Sequence, residues 1–319
     1  MGFYQPAQIV SDARKHGVEV RPADINHSDW DNRMEGQAGK YRAVRLGFRQ
    51  IKGIHEEDMT VLCAGRGEGY KGITALMDAG VSEAALERLA DADCFRSIGL
   101  DRRQALWEVS ALKDRPNGMF TGMSAAHASE KQIQLPLMSL SEHVVHDYGS
   151  MALSLKAHPV SFVRDKLDKL GVLKTSDLAN AKDGDNVKVA GLVLVRQRPG
   201  TAGGVCFITI EDDEGENANL VVFEKLFTKY RKEVLNSRLL MVEGKLQIEG
   251  EVIHVIVKKC YDLSMLLRGL TEVEADKQPV QTLARADEKD GYPHYPQNKR
   301  SQVRKVVQQE IFPSGRNFK

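Results

Sequence analysis

The chain has 319 residues, 42% of them hydrophobic and 28% charged, and its 45 Lys and Arg against 44 Asp and Glu leave a net charge of +1. That length has room for two or three domains, and near-neutrality excludes a global basic field, so a nucleic-acid contact must rest on local patches. No apolar run approaches the roughly 20 residues of a membrane helix and no signal peptide opens the chain, so a cytoplasmic protein with no membrane partner is expected.

The first 22 residues read as a helix and then a strand. Ala7, Ile9-Val10 and Ala13 recur at helical spacing, Gly17 ends the helix, and Val18-Glu19-Val20 runs extended into Pro22. Asp24, Asp29 and Asp31 follow as loop acids, with a metal site as the alternative.

From Tyr41 a second unit begins. Val44, Leu46 and Phe48 alternate towards Gly53-Ile54-His55, with Met59 four beyond the last turn position. Gly99-Leu100-Asp101, followed by Ala105, repeats that frame. Two such frames predict a tandem helix-hairpin-helix domain over 41–112, whose turn N–H groups would point at phosphate oxygens. Glu56, Glu57 and Asp58 after the first hairpin repel phosphate, whereas Arg102 and Arg103 after the second attract it. The second hairpin is therefore expected to bind DNA and the first to be mainly structural. The competing reading of Arg102-Arg103 is a solvated helix face. His55 and Asp101 stand where a second glycine usually sits.

Between the hairpins, the alternate glycines of 64–73 lack the spacing and the preceding strand of a phosphate loop, and read as a connector. Ser82 predicts an N-cap for a helix over 81–92. Residues 113–184 read as a linker with connecting helices. His143, His146 and Asp147 share a helix there, but no third metal ligand is placed by the sequence. His158 before Pro159 reads as structural. Cys63, Cys94, Cys206 and Cys260 are scattered, so neither a disulfide framework nor a zinc site is expected.

Residues 185–270 carry the densest pattern. Strands are predicted over 187–197, 205–212, 218–223, 239–247 and 252–260. A helix over 224–236 precedes the fourth, and Glu249-Gly250 joins the last two. Val187, Val189, Val193 and Val195 would share one face of the first strand. Three strands, a helix and a closing hairpin predict a five-stranded OB-type barrel, and the chain as a whole reads as α+β. Lys188, Arg196, Arg198 and Lys258 are the candidate cations for a single strand, and Phe207 the candidate stacking ring, with burial of Phe207 left open. Phe223 reads as core or surface. Residues 271–319 read as a flexible basic tail, with an idle tail and a nucleic-acid contact both open.

The wording of three stretches carries a resemblance. VAGLVLVRQRPGTAGGVCFITIEDDEG (189–215), FRSIGLDRRQALW (95–107) and the opening MGFYQPAQIVSDARKHGVEVRPADINHSDW resemble the bacterial error-prone DNA polymerases. These are C-family, DnaE-type relatives of the replicative polymerase III alpha subunit. The resemblance implies that residues 1–40 are the distal end of the fingers, a remnant preceded in the family by palm and fingers. It implies a DNA-holding, C-terminal portion of an enzyme that copies damaged templates during damage-induced mutagenesis. Nucleotidyl transfer in that family uses palm aspartates and Mg2+. No catalytic residue, metal ligand or cofactor is assigned to this chain. The implied partners are primer–template duplex, single-stranded template, other subunits of a mutagenesis complex, and the sliding clamp indirectly. A stand-alone DNA-binding module and a protein-interaction scaffold remain the alternatives.

Overall fold

The computed structural model describes residues 5–112, 135–250, 252–270 and 316–318. The chain divides into two compact units, Met1–Lys156 and Ala157–Lys319. Residues 113–134 of the expected linker region and most of the tail expected over 271–319 lie outside the described residues.

The first unit opens with α1 (Pro6–Lys15). Its proline sits in the first turn, where the missing N–H would have had no partner. Three short strands follow: β1 (Val20–Arg21), β2 (Arg33–Ala38) and β3 (Tyr41–Arg45), in the order β1-β3-β2. The sequence does not announce β2, because RMEGQA lacks apolar alternation and only Glu35 and Ala38 are even half-buried. Glu35 instead anchors the sheet by charge, accepting from Arg21 at 2.7 Å and Arg45 at 2.8 Å.

Five helices complete this unit: α2 (Glu56–Gly65), α3 (Ile73–Asp78), α4 (Glu83–Asp91), α5 (Arg102–Leu112) and α6 (Leu140–Met151). Ser82 caps α4 by accepting the Ala85 N–H at 3.2 Å, and Ser139 with Glu142 forms a capping box on α6. Their apolar faces meet in one core of Leu46, Phe48, Met59, Leu62, Leu86, Leu89 and Phe95. Ala23 and Ile25 lie in the same core, so residues before 41 pack with the hairpins. The glycine-rich connector is pinned to that body. Asn26 donates to the Tyr70 carbonyl at 3.0 Å and accepts its N–H at 2.7 Å.

In the second unit, α7 (Arg164–Lys169) and two short 3-10 turns lead into β4 (Asn186–Gln197), β5 (Cys206–Glu211) and β6 (Asn217–Val222). Then come α8 (Glu224–Lys229), α9 (Arg231–Asn236), β7 (Leu239–Glu249), β8 (Val252–Asp262) and α10 (Ser264–Arg268). The strands close in the order β4-β5-β6-β8-β7-β4, with β6 and β8 parallel and the other pairs antiparallel. That is the five-stranded OB barrel. The helix expected over 224–236 is two helices, broken at Tyr230, whose backbone leaves the helical region at φ −108, ψ 31. A short β9 (Arg316–Phe318) lies parallel to the end of β4.

Closure needs two glycines. A Cβ on Gly191 would sit 2.4 Å from the Glu211 carbonyl oxygen, and one on Gly244 2.5 Å from that of Ile256. A bulge between Val193 and Val195 shifts the register of β4 against β5 and reverses the expected alternation beyond it. Val187, Val189 and Val193 are buried as expected, but Val195 is only half-buried and Arg196 turns inward. Among the described residues no helix is long and apolar enough to cross a membrane.

Candidate nucleic-acid interface

The two hairpins share a backbone device and differ in what surrounds it. Gly53 and Gly99 take φ +73 and +81, the left-handed turn that glycine adopts without strain. At the second hairpin the Gly99 N–H donates to Arg96 O at 3.0 Å and the Leu100 N–H to Phe95 O at 3.3 Å. Asp101 caps α5, accepting the Gln104 N–H at 2.8 Å. Leu100 is half-buried against the core, and Ile54 is buried in it.

Arg102 corrects the sequence reading. It is fully buried, and its guanidinium donates to the Asp147 carboxylate and to the His143 carbonyl. A guanidinium committed in this way cannot reach a phosphate. Asp147 also receives Lys156 at 3.0 Å and Ser154 at 2.7 Å, so the His143/Asp147 cluster is a structural ion network. Burial first, then the Arg102 charge, keeps His143 less basic than usual. Arg103 is half-exposed but also engaged, donating to Pro136 O at 2.7 Å and Glu142 at 3.2 Å.

The first hairpin has the freer surroundings. Lys52–Gly53 forms a turn, and among the described residues the Gly53 and His55 N–H groups have no partner. Arg88 of α4 comes alongside, its Nε 3.5 Å from where a Gly53 Cβ would be. Arg88 is exposed and unpaired among the described residues. The exposed Glu56 and Glu57 oppose it. Sequence inspection misses Arg88 because it lies 35 positions away on another helix.

On the barrel, cross-strand register assembles one outward row. Gln197 pairs Phe207, Phe207 pairs Val221, Val221 pairs Ile256, Ile256 pairs Lys245, and Lys245 pairs Asn186. Partnered residues share a face of the sheet, so these side chains run around the barrel as a band. Phe207 is 37% exposed, which resolves its open orientation outward, and Val221 and Ile256 are half-exposed. The row ends at two lysines: Lys245, and Lys258, whose ammonium donates to Asn186 at 2.6 Å. A second, polar row runs beside it through Thr209, Asn219 and His254. Thr209 donates to Asn219 at 3.2 Å, and His254 Nδ1 has no partner among the described residues. Val221, Ile256 and Lys245 were missed in the sequence. They occupy the alternate positions of strands whose inner faces were legible, and the period-2 rule would have found them.

The other barrel candidates divide. Arg196 is a correction: it is 3% exposed and donates to the carbonyls of Val234 and Ser237 at the end of α9. Burying it there satisfies helix-end acceptors rather than a ligand. Arg198 is exposed, stacks at 4.4 Å on Phe227 and donates to Gly204 O at 3.2 Å. Lys188 belongs to a different ladder, 3.5 Å from Glu243, which Lys259 also meets at 3.1 Å. Phe223 is 49% exposed. Burial raises the thiol of Cys260 to about 12 and that of Cys94 well above its usual value. Asp29 holds Arg33 and Arg66, Asp31 holds Arg49, and Asp24 accepts the Asn26 and Ser97 N–H groups. Among the described residues no three His, Cys, Asp or Glu side chains converge on a metal position.

Comparison with known proteins adds the family. A helix-hairpin-helix motif family matches residues 17–105, and an OB-fold nucleic acid binding domain family matches residues 187–263. The error-prone DNA polymerase of Sinorhizobium medicae is 49% identical over 300 residues, covering 86% of this chain and 27% of that protein. Error-prone DNA polymerase 1 of Rhizobium meliloti is 49% identical over 299 residues, with the same coverage. The chain is homologous to part of the error-prone DNA polymerases. It spans about a quarter of the length of the curated relatives it matches, 27% in both of these. A Caulobacter vibrioides error-prone DNA polymerase is 43% identical over 294 residues, 85% of this chain. The error-prone polymerase match thus takes in both units, one with a helix-hairpin-helix motif and one with an OB fold.

Proposed function

We propose that this chain is the DNA-holding portion of an error-prone polymerase that copies damaged templates. Single-stranded template lies across the barrel, and duplex lies on the hairpin unit. The observation that carries the reading is the row Phe207–Val221–Ile256 ending at Lys245 and Lys258. A ring and two aliphatic side chains offer a surface on which bases stack without sequence preference, and the lysines take the backbone charge. The polar row beside it can meet base edges. No residue of the chain is given a catalytic role. Nucleotidyl transfer, lesion bypass and contact with other subunits or a clamp belong to the whole polymerase.

The test is a fluorescence titration of the full chain with a single-stranded oligonucleotide at low salt. Phe207→Ala should weaken binding by about 1–3 kcal/mol, the range for one stacked base. Lys245→Ala with Lys258→Ala should flatten the salt dependence by about 1.4, two contacts at ~0.7 each for single strands. Absence of binding by the native chain would remove the template role. It would leave the protein-interaction scaffold as the better account of the barrel.

A further inference from the structure

β4 is longer than the strand beside it. Residues Asn186 to Leu192 pair with β7, ending at Leu192–Leu239. One more backbone bond follows, from the Val193 N–H to Arg238 O at 2.9 Å. There the neighbouring chain turns away into α9, held by the Arg196 guanidinium on the Val234 and Ser237 carbonyls. The last three residues of β4 thus keep β5 on one edge and no barrel strand on the other. That second edge is taken by β9, in parallel register: Val195 with Arg316, Arg196 with Asn317, Gln197 with Phe318.

We propose that the β4 edge at Val195–Gln197 is an acceptor site for an extended peptide strand, and that its resident occupant is the chain's own C-terminal Arg316–Phe318. Recognition is by strand addition, in which main-chain N–H and C=O groups supply the grip. An open edge beside a ligand face is otherwise a template for unwanted pairing, and a tethered strand covers it. Three residues make a weak ladder. The occupant therefore holds its place through covalent attachment, which turns binding into an intramolecular step. A nucleic acid is the poorer occupant. The edge presents peptide groups, and the one cation within it, Arg196, is already committed to helix-end carbonyls.

The experiment uses the full chain and Asn317→Pro, a change that removes one N–H and fixes φ. The barrel closes through β4–β5 and β4–β7 alone, so the variant should keep the native circular dichroism. Amide exchange over Val195–Gln197 should quicken by about tenfold or more in the variant. A labelled peptide of residues 312–319 should bind the variant and bind the native chain at least about tenfold more weakly, because the tail competes at high effective concentration. The same peptide with proline at the Asn317 position should bind neither. Unchanged exchange together with no peptide binding by the variant would overturn the proposal. Concentration-dependent dimers that trade labelled tails would overturn its assignment to the chain's own terminus.

Discussion

Arg102, the first residue of α5, is locked onto Asp147 of α6, and both side chains are almost wholly buried, at 0% and 1% exposure. Lys156 closes the network on Asp147 at 3.0 Å and on Asp93 at 3.2 Å. Arg96 joins Asp93 from the surface at 2.8 Å, so three cations meet two carboxylates, and the Arg102–Asp147 pair ties α5 to α6. Removing Asp147 leaves a fully buried guanidinium without a carboxylate, and removing Arg102 leaves the buried Asp147 with Lys156 as its remaining cation among the described residues. Arg102→Met should therefore lower stability by about 3–5 kcal/mol, and Asp147→Leu by a similar amount. The double variant should recover a large part of the loss. Urea denaturation of the four proteins checks this; additive losses would show that the two side chains do not act as a pair.

Glu35 gives the first unit an acid-sensitive joint. Hydrogen bonds from Arg45, then Arg21, outweigh its burial and hold its carboxyl at about 2, below the usual 4.5. Folding depresses this pKa, so the stabilisation is full above the unfolded value and is lost as pH falls through the folded one. Native protein should exceed Glu35→Gln in stability at neutral pH. The gap should close between pH 4.5 and about 2. A gap that stays constant to about pH 2 would show that Glu35 acts by shape rather than charge.

How much of this was legible follows from which forces write themselves into local sequence. The barrel strands were readable within a residue or two, since Val187, Val189, Ile208, Ile210, Leu220 and Val222 recur at every second position and all are buried. The β2 strand was not, because Glu35 holds it through arginines 14 and 10 positions away. The two buried arginines show the main limit. Nothing in DRRQ distinguishes Arg102, buried on Asp147, from Arg103, half-exposed on Glu142; helix phase decides, and the Arg102 partner lies 45 residues on. The bulge after Val193 similarly inverted the expected roles of Val195 and Arg196.

The two arginines of the RQR stretch should differ in what they contribute to stability. Arg196→Ala strips two carbonyls of a charged donor, and hydrogen bonds to charged groups are worth about 1.5–3 kcal/mol each. A loss of at least about 2 kcal/mol is expected. Arg198→Ala loses an exposed stacking contact with Phe227 and should lower stability by only about 0.5–1 kcal/mol. Thermal unfolding of both variants decides the matter. Equal losses would mean that Arg196 is less committed to α9 than its geometry indicates.

The hairpin unit yields the sharpest division between the sequence reading and the structure. The sequence favours the second hairpin through Arg102 and Arg103, but one is interior and the other is paired with Glu142. We propose that duplex DNA is held at the first hairpin. There the Arg88 guanidinium, unpaired among the described residues, lies alongside Gly53, its Nε 3.5 Å from where a Cβ would be. Arg88→Ala should leave thermal stability unchanged, because an exposed, unpaired side chain contributes within about 0.5 kcal/mol. It should weaken duplex binding for all sequences alike and flatten the salt slope by about 0.9, as expected for one lost phosphate contact. Glu56→Gln with Glu57→Gln should strengthen binding, because those carboxylates stand beside the same phosphate. Duplex titrations at several salt concentrations separate the outcomes. Native affinity in Arg88→Ala, with a loss in Arg103→Ala instead, would return the duplex to the second hairpin.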